Sequence, residues 1–238
     1  MLKVFLVEDE TVIREGLRDR IPWEQYGYRF VGEAADGEVA LPLIRKTRPD
    51  VLITDIKMPF MDGLSLSRIV REEFPKTKIL IISGYDDFEY AREAISIGVD
   101  QYILKPVTRM SLRKVLQELK EKIEIDPVLH VYNRNAGVER ISEYIKSNPE
   151  SRDYALFVID IDDFKNINDT YGHLYGDTVI AMVAEMLNKA TDDDTIVGRY
   201  GGDEFFVFLK SSRIAENADR VVDNVCKINI SDDKRITC

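Results

Sequence analysis

Two rhythms of apolar and polar positions interleave along the first half of the chain. Short apolar runs at Lys3–Val7, Arg29–Ala34, Asp50–Ile56, Lys78–Ser83 and Gln101–Leu104 read as strands. Thr11–Arg20, Gly37–Thr47, Leu64–Phe74, Asp86–Ile97 and Ser111–Ile123 instead carry apolar residues three and four apart, the spacing of a helix face. The run DVLITDI at 50–56 is rich in β-branched and apolar residues, as a strand buried on both faces requires. Five βα repeats predict an α/β fold with a doubly wound, five-stranded parallel sheet, its helices on both faces because such crossovers are right-handed. Apolar residues at 112, 115, 116, 119 and 123 give the last helix a stripe that either packs on its own sheet or runs on as a stalk.

Asp126-Pro127 breaks this rhythm, and a different order follows. Ala136–Ser147 reads as a helix, Asn148–Asp153 as a polar loop, Ala155–Asp160 as a strand and Asp177–Lys189 as a helix. Ile196–Tyr200 and Glu204–Leu209 read as strands joined through Gly201-Gly202, then Ile214–Lys227 as a helix and Arg235–Cys238 as the start of a strand. This is α+β in character. The expected division is therefore one domain over 1–123 and another over 124–238.

A length of 238 residues suits two modest domains. Hydrophobic content of 45% and charged content of 32% are those of a folded globular chain. No apolar run approaches the ~18 residues of a membrane span, and the first acidic residue comes too early for a signal peptide. Cys226 and Cys238 show no metal-ligand spacing and suit a reducing compartment, so a cytoplasmic location is expected. A formal charge of −10 argues against a nucleic-acid partner, which would call for a basic face.

The same acidity suits carboxylates gathered around a divalent cation. Glu8-Asp9, Asp55, Ser83 and Lys105-Pro106 all fall at strand ends, where ligand sites form in open α/β sheets. Alone, Glu8-Asp9 would be a solvated loop pair. With Asp55 and Lys105 in register, three carboxylates crowd one end of the sheet and repel unless a cation sits among them. Mg²⁺ takes oxygen ligands and leaves room for phosphate, and Lys105 adds a movable positive charge.

Val-Glu-Asp-Glu at 7–10, Asp55 followed by Met-Pro-x-Met-Asp-Gly at 58–63, Ser83-Gly84 and Tyr102-Ile-Leu-Lys-Pro106 resemble the receiver domain of response regulators. The resemblance implies a flavodoxin-like sheet in the order 2-1-3-4-5, with Asp55 taking phosphate from a sensor histidine kinase. It implies Mg²⁺ held by Glu8, Asp9, Asp55 and the Lys57 carbonyl. Ser83 and Lys105 would bind phosphoryl oxygens, Tyr102 would be the aromatic switch, and Lys105-Pro106 would be cis. The stretch Ser83–Ala91 (SGYDDFEYA) is most similar to receivers that precede AraC-type DNA-binding domains.

In the second half, Tyr-Gly-Gly-Asp-Glu-Phe-Phe at 200–206 reads as a glycine hairpin presenting two acids. Asp160-Ile-Asp-Asp-Phe-Lys165, Asn168-Asp169, Tyr171-Gly-His173 and Gly176-Asp177 join it, and together they resemble the GGDEF domain of diguanylate cyclases. The resemblance implies a nucleotidyl-cyclase-like α+β domain that condenses two GTP into cyclic di-GMP with Mg²⁺ or Mn²⁺. Asp160, the Ile161 carbonyl and Asp203 would carry the metals, Glu204 would assist metal binding or deprotonation, and Lys165 would face the phosphates. Asn168 and Asp177 would read guanine, while Gly201 and Gly202 leave room for phosphate. His173 is expected to be structural, and His130 exposed.

The chain departs from that family's pattern in three places. Its segment Asp126–Arg134 (DPVLHVYNR) lacks the usual Thr and Gly of Asp-x-Leu-Thr-Gly-Leu-x-Asn-Arg. Asp192 and Thr195 stand where an inhibitory Arg-x-x-Asp is usual, so no product site is expected there. Arg235–Cys238 ends where the family continues with further strands and a helix, which gives the expectation of a domain incomplete at its C-terminal end. The leading expectation is a phosphorylation-regulated diguanylate cyclase that works as a homodimer. The alternatives are a non-catalytic nucleotide- or partner-binding regulator and, disfavoured for want of a helix-turn-helix or basic face, a transcription factor.

Overall fold

The computed structural model describes residues 1–84, 88–151, 153–192, 194–210, 219, 229–231 and 234–235. The helix expected over Ile214–Lys227 lies outside them apart from Asp219, as do Asp86, Asp87 and the last three residues of the strand expected from Arg235. The chain divides into two compact units, Met1–Ile123 and Glu124–Cys238.

In the first unit, strands β1 (Leu2–Val7), β2 (Tyr28–Ala34), β3 (Val51–Asp55), β4 (Lys78–Ser83) and β5 (Gln101–Leu104) alternate with helices α1 (Thr11–Arg20), α2 (Gly37–Thr47), α3 (Gly63–Glu73), α4 (Phe88–Ile97) and α5 (Arg109–Glu124). All strand pairs are parallel, in the order β2-β1-β3-β4-β5. Successive side chains of a strand point to opposite faces, so each strand feeds two cores. Phe5, Val7, Leu52, Ile79 and Ile81 pack with Ala40, Ile44, Leu64, Leu66, Val70 and Ala94 of α2, α3 and α4. Val4, Leu6, Val51, Ile53, Leu80 and Ile82 pack with Leu112, Leu116 and Leu119 of α5. Val115 and Ile123 join that second core, so the α5 stripe packs on its own sheet. A 3₁₀ turn at Glu24–Tyr26, which has no periodic signature, leads through Gly27 into β2.

The second unit contains α6 (Arg134–Ser147), β6 (Ala155–Asp160), α7 (Phe164–Tyr171), α8 (His173–Ala190), β7 (Ile196–Gly201) and β8 (Glu204–Leu209), with a short antiparallel pair β9 (Asn229–Ser231) and β10 (Lys234–Arg235). β6, β8 and β7 form an antiparallel sheet in that order. The alternation of β8 again serves two cores. Phe205, Val207 and Leu209 meet Val179, Ile180, Val183, Ala184 and Leu187 of α8, while Phe206 and Phe208 pack with Ile141 and Tyr144 of α6.

The larger departures from the sequence reading fall at α7 and α8. α7 was not expected, and α8 begins at His173 rather than Asp177. Of the glycines at 172 and 176, only Gly172, with φ of 86°, interrupts the helices. Gly176 is buried inside α8, where a Cβ would overlap the Asn168 side chain.

Residues 126–134 close a turn despite lacking Thr and Gly. Asp126 Oδ1 accepts from the Val128 and Leu129 amides at 2.9 and 3.0 Å. The Asp126 amide donates to the Val131 carbonyl at 2.9 Å. Leu129 and Val131 are buried, and Asn133 caps α6 through the Ala136 amide. His130, at the position of the missing Gly, has φ of 54°. Left-handed backbone costs an L-residue about 1–2 kcal/mol, partly offset because Gly loses more entropy on folding. His130→Gly should therefore stabilise this unit by about 0.5–1 kcal/mol, and β-branched His130→Val should destabilise it by about 1–2 kcal/mol. The chain's single tryptophan, Trp23, lies in the first unit. The second unit's urea transition is thus the one seen by far-ultraviolet circular dichroism and not by tryptophan emission. A more stable His130→Val would refute the argument.

Candidate functional site

Parallel strands bring their carboxyl ends to one edge of the sheet, where ligand sites form. Glu8 and Asp9 follow β1, Asp55 ends β3, Ser83 ends β4 and Lys105 follows β5. One carboxylate oxygen from each of Glu8, Asp9 and Asp55 lies within 4.8 Å of the others. Lys105 Nζ donates to Asp55 Oδ2 at 2.6 Å and lies 3.0 Å from Glu8 Oε2. Asp55 Oδ1 accepts from the Ile56 amide at 2.5 Å, and the Lys105 amide donates to the Ser83 carbonyl at 2.7 Å. The Lys105–Pro106 peptide is cis. Glu8 and Ser83 are buried, whereas Lys57 is exposed and its ammonium lies 5.5 Å from the Tyr90 ring centroid. Tyr102, half-buried on β5, packs at the edge of the core under α2, α3 and α4.

The electrostatics follow from burial. Removal from water pushes the Glu8 carboxyl above its usual range, against the pull of Lys105, which Glu8 shares with Asp55. Burial alone would pull Lys105 down, but its hydrogen bonds to Asp55 and Glu8 outweigh that and raise it, so the ammonium stays charged. Three hard oxygen donors converging beside one cation fit Mg²⁺, which takes few carboxylates and keeps sites for water or phosphate.

In the second unit, Asp160 at the end of β6 pairs directly across from Glu204 at the start of β8. Asp203 sits between them and β7, in a two-residue loop with Gly202. Gly202 has φ of 55°, a value a glycine adopts without strain, and Arg199 fixes the loop by donating twice to the Gly202 carbonyl at 2.9 and 2.7 Å. The register slips between Arg199 and Gly201, leaving Tyr200 as the bulged residue, and Arg134 donates to its hydroxyl at 2.9 Å. Glu204 and Asp203 are half-buried, Asp160 is exposed and Ile161 is buried. Among the described residues, these three carboxylates do not converge as closely as the first trio. Lys165 is exposed in the first turn of α7. The Asn168 side chain lies against Gly176, the residue before exposed Asp177, so the two base-reading candidates are neighbours across the α7–α8 contact. His173 and His130 are both exposed.

Sequence reasoning missed Arg14 and Arg199, which act on backbone carbonyls and so leave no motif of their own. Gly63, the last residue of the 58–63 motif, approaches the Asp55 carbonyl so closely that no space is left for a Cβ.

Comparison with known proteins assigns a family to each half of the chain. The family model for the response regulator receiver domain matches residues 4–117, and the model for the diguanylate cyclase GGDEF domain matches residues 123–235. A response regulatory protein of Staphylococcus epidermidis is 42% identical over 123 residues, covering 52% of this chain and 48% of the relative. The transcriptional regulatory protein YesN of Bacillus subtilis is 39% identical over 126 residues, covering 51% of this chain and 34% of the relative. These first curated relatives are thus matched over half their length or less. The transcriptional regulatory protein HptR of Staphylococcus aureus is 30% identical over 206 residues, covering 79% of this chain and 80% of the relative. Among solved structures, the receiver domain of AraT, a response regulator from Geobacillus stearothermophilus, is 47% identical, covers 52% of this chain and 95% of that one, and has a TM-score of 0.49.

The fold and the acidic edge define a signalling protein built on a receiver domain. The chain belongs to the response regulators, with a receiver domain followed by a GGDEF domain. Among the described residues, no helix is long and apolar enough to cross a membrane.

Proposed function

We propose that the receiver takes a phosphoryl group on Asp55 from a sensor histidine kinase, and that the phosphorylated chain dimerises in the cytoplasm to run a diguanylate cyclase. The observation that carries the first half is Lys105 Nζ at 2.6 Å from Asp55 Oδ2, with Glu8 and Asp9 beside them. Asp55 Oδ attacks phosphorus, the P–N bond to the kinase's phosphohistidine breaks as the P–O bond to Oδ forms, and the imidazole leaves, its nitrogen taking up a proton. Lys105 and the Ser83 hydroxyl offset the charge on the phosphoryl oxygens, and Glu8, Asp9, Asp55 and the Lys57 carbonyl would hold a cation that would supply further positive charge.

The second half rests on Asp160 and Glu204, directly opposed on neighbouring strands. Like charges facing each other destabilise a sheet, and a divalent cation that these two, Asp203 and the Ile161 carbonyl would hold would remove that cost. Lys165 faces the triphosphate, and Gly201 and Gly202 leave it room. Asn168 and Asp177 read guanine. A binding module without turnover is the second reading, favoured by the wider spacing of Asp160, Asp203 and Glu204.

The test is incubation with GTP and Mg²⁺, with and without a phosphoryl donor, followed by chromatography for cyclic di-GMP. Donor-dependent product supports the enzyme. GTP bound without product supports the module, and the absence of both overturns the proposal. Within it, Asp177→Ala should abolish a preference for GTP over ATP, since the unmet guanine donors cost about 1–3 kcal/mol. Equal affinity of the parent chain for both nucleotides would remove the assignment.

A further inference from the structure

Arg14 is a cation that faces the acidic edge without touching its carboxylates. It projects from α1 and is only 15% exposed. Its NH1 donates to the Glu8 carbonyl at 2.6 Å and to the Asp9 carbonyl at 3.2 Å. Its NH2 donates to Thr11 Oγ1 at 3.3 Å, and its Nε lies 3.6 Å from Glu33 Oε1 on β2. Arg18 meets the same Glu33 oxygen at 3.0 Å. Glu10, the residue before α1, makes no side-chain capping bond. On the α1 side the carbonyls of both acids are thus held by this guanidinium, while the Arg14 amide holds the next carbonyl, that of Glu10, at 2.9 Å.

We infer that Arg14 is a positioning residue for the cation site: it locks the Glu8–Asp9 backbone so that both carboxylates face Asp55. The inference rests on the reading of Glu8, Asp9 and Asp55 as cation ligands. Two opposed effects follow from removing Arg14. Loss of a nearby positive charge favours cation binding, and loss of the lock disfavours it. Glu33 already offsets the guanidinium charge, so the geometric effect wins. Groups that orient metal ligands from behind are worth about tenfold or more in affinity.

The experiment titrates the full chain with Mn²⁺ in the absence of nucleotide, counting free ion by electron paramagnetic resonance. Receiver-bound ion is the part lost in Asp9→Asn. Arg14→Ala should raise the Kd for that part about tenfold, and Arg14→Lys, whose single ammonium serves one carbonyl well, should fall between. A residue that only stabilised the fold would lower the unfolding midpoint and leave Kd unmoved. If Arg14→Ala does not fold, judged by Trp23 emission, Arg14→Lys decides, with a rise of roughly threefold expected because the charge is kept while one of the two carbonyl contacts is lost. A folded variant with Kd within twofold of the parent, or lower, overturns the inference. If the parent holds no ion that Asp9→Asn releases, the reading of the carboxylates falls too, which separates the two failures.

Discussion

Asp55→Asn removes all acyl-phosphate label when the chain is incubated with a small phosphoryl donor and Mg²⁺. An amide oxygen lacks the charge and basicity of the nucleophile, and no other carboxylate in the trio can replace it. Glu8 is 1% exposed, and Asp9 does not contact the ammonium that would meet the phosphoryl oxygens. The substituted chain should still fold, because Lys105 keeps Glu8 as a partner at 3.0 Å. The check is hydroxylamine-sensitive radiolabel on the intact chain, with Trp23 emission as the measure of folding. Full-strength label in the folded variant would move the acceptor elsewhere.

Phe206→Ala should cost the second unit about 3–5 kcal/mol, among the largest losses a single core truncation produces. Its ring lies between Gly137 of α6 and Gly198 of β7, so closely that a Cβ on either glycine would overlap it. Three elements therefore meet at one ring. Gly198→Ala fails by the opposite route, overpacking, at about 1–3 kcal/mol, because the ring has Gly137 at its back. Phe206 also lies two residues from Glu204, so loosening β8 disturbs the hairpin that presents Asp203 and Glu204. Urea unfolding followed by far-ultraviolet circular dichroism, with Trp23 emission subtracting the receiver, reads both losses. Gly198→Ala within about 0.5 kcal/mol of the parent would show that the ring yields more easily than this packing implies.

Much of this was legible from the chain alone, for identifiable reasons. A parallel sheet buried on both faces writes near-continuous apolar strands such as ILIIS at 79–83, and its carboxyl-end residues fall where chemistry is expected. Hence Asp55, Lys105 and Glu8 were placed before any distance was known. α7 escaped because it spans only eight residues, and the polar positions between Phe164, Ile167 and Tyr171 read as candidate ligands. Gly176 lies inside α8 because its missing Cβ admits the Asn168 side chain, and residue type alone does not distinguish that use from a helix end. The turn at 126–134 shows the converse. Asp126 and Asn133 retain the hydrogen bonds that matter, and His130 accepts the left-handed backbone, so the turn survives two changes of residue.

Lys105 has a consequence for how the receiver sheet opens. β5 is the strand of that sheet with no fully buried residue, and it pairs on one side only. From its end, Lys105 reaches past β4 to residues that close β3 and β1, at sequence separations of 50 and 97. The side chain acts as a stitch between strands that are not neighbours, fastening the loosest margin of the sheet to its centre. Closing loops of that length carries an entropic cost that nearby contacts do not, so the stitch forms only after the strands between are in place. Interactions made that late govern how slowly a structure comes apart rather than how fast it assembles. The charges that make the edge a site for chemistry thus also act as its latch.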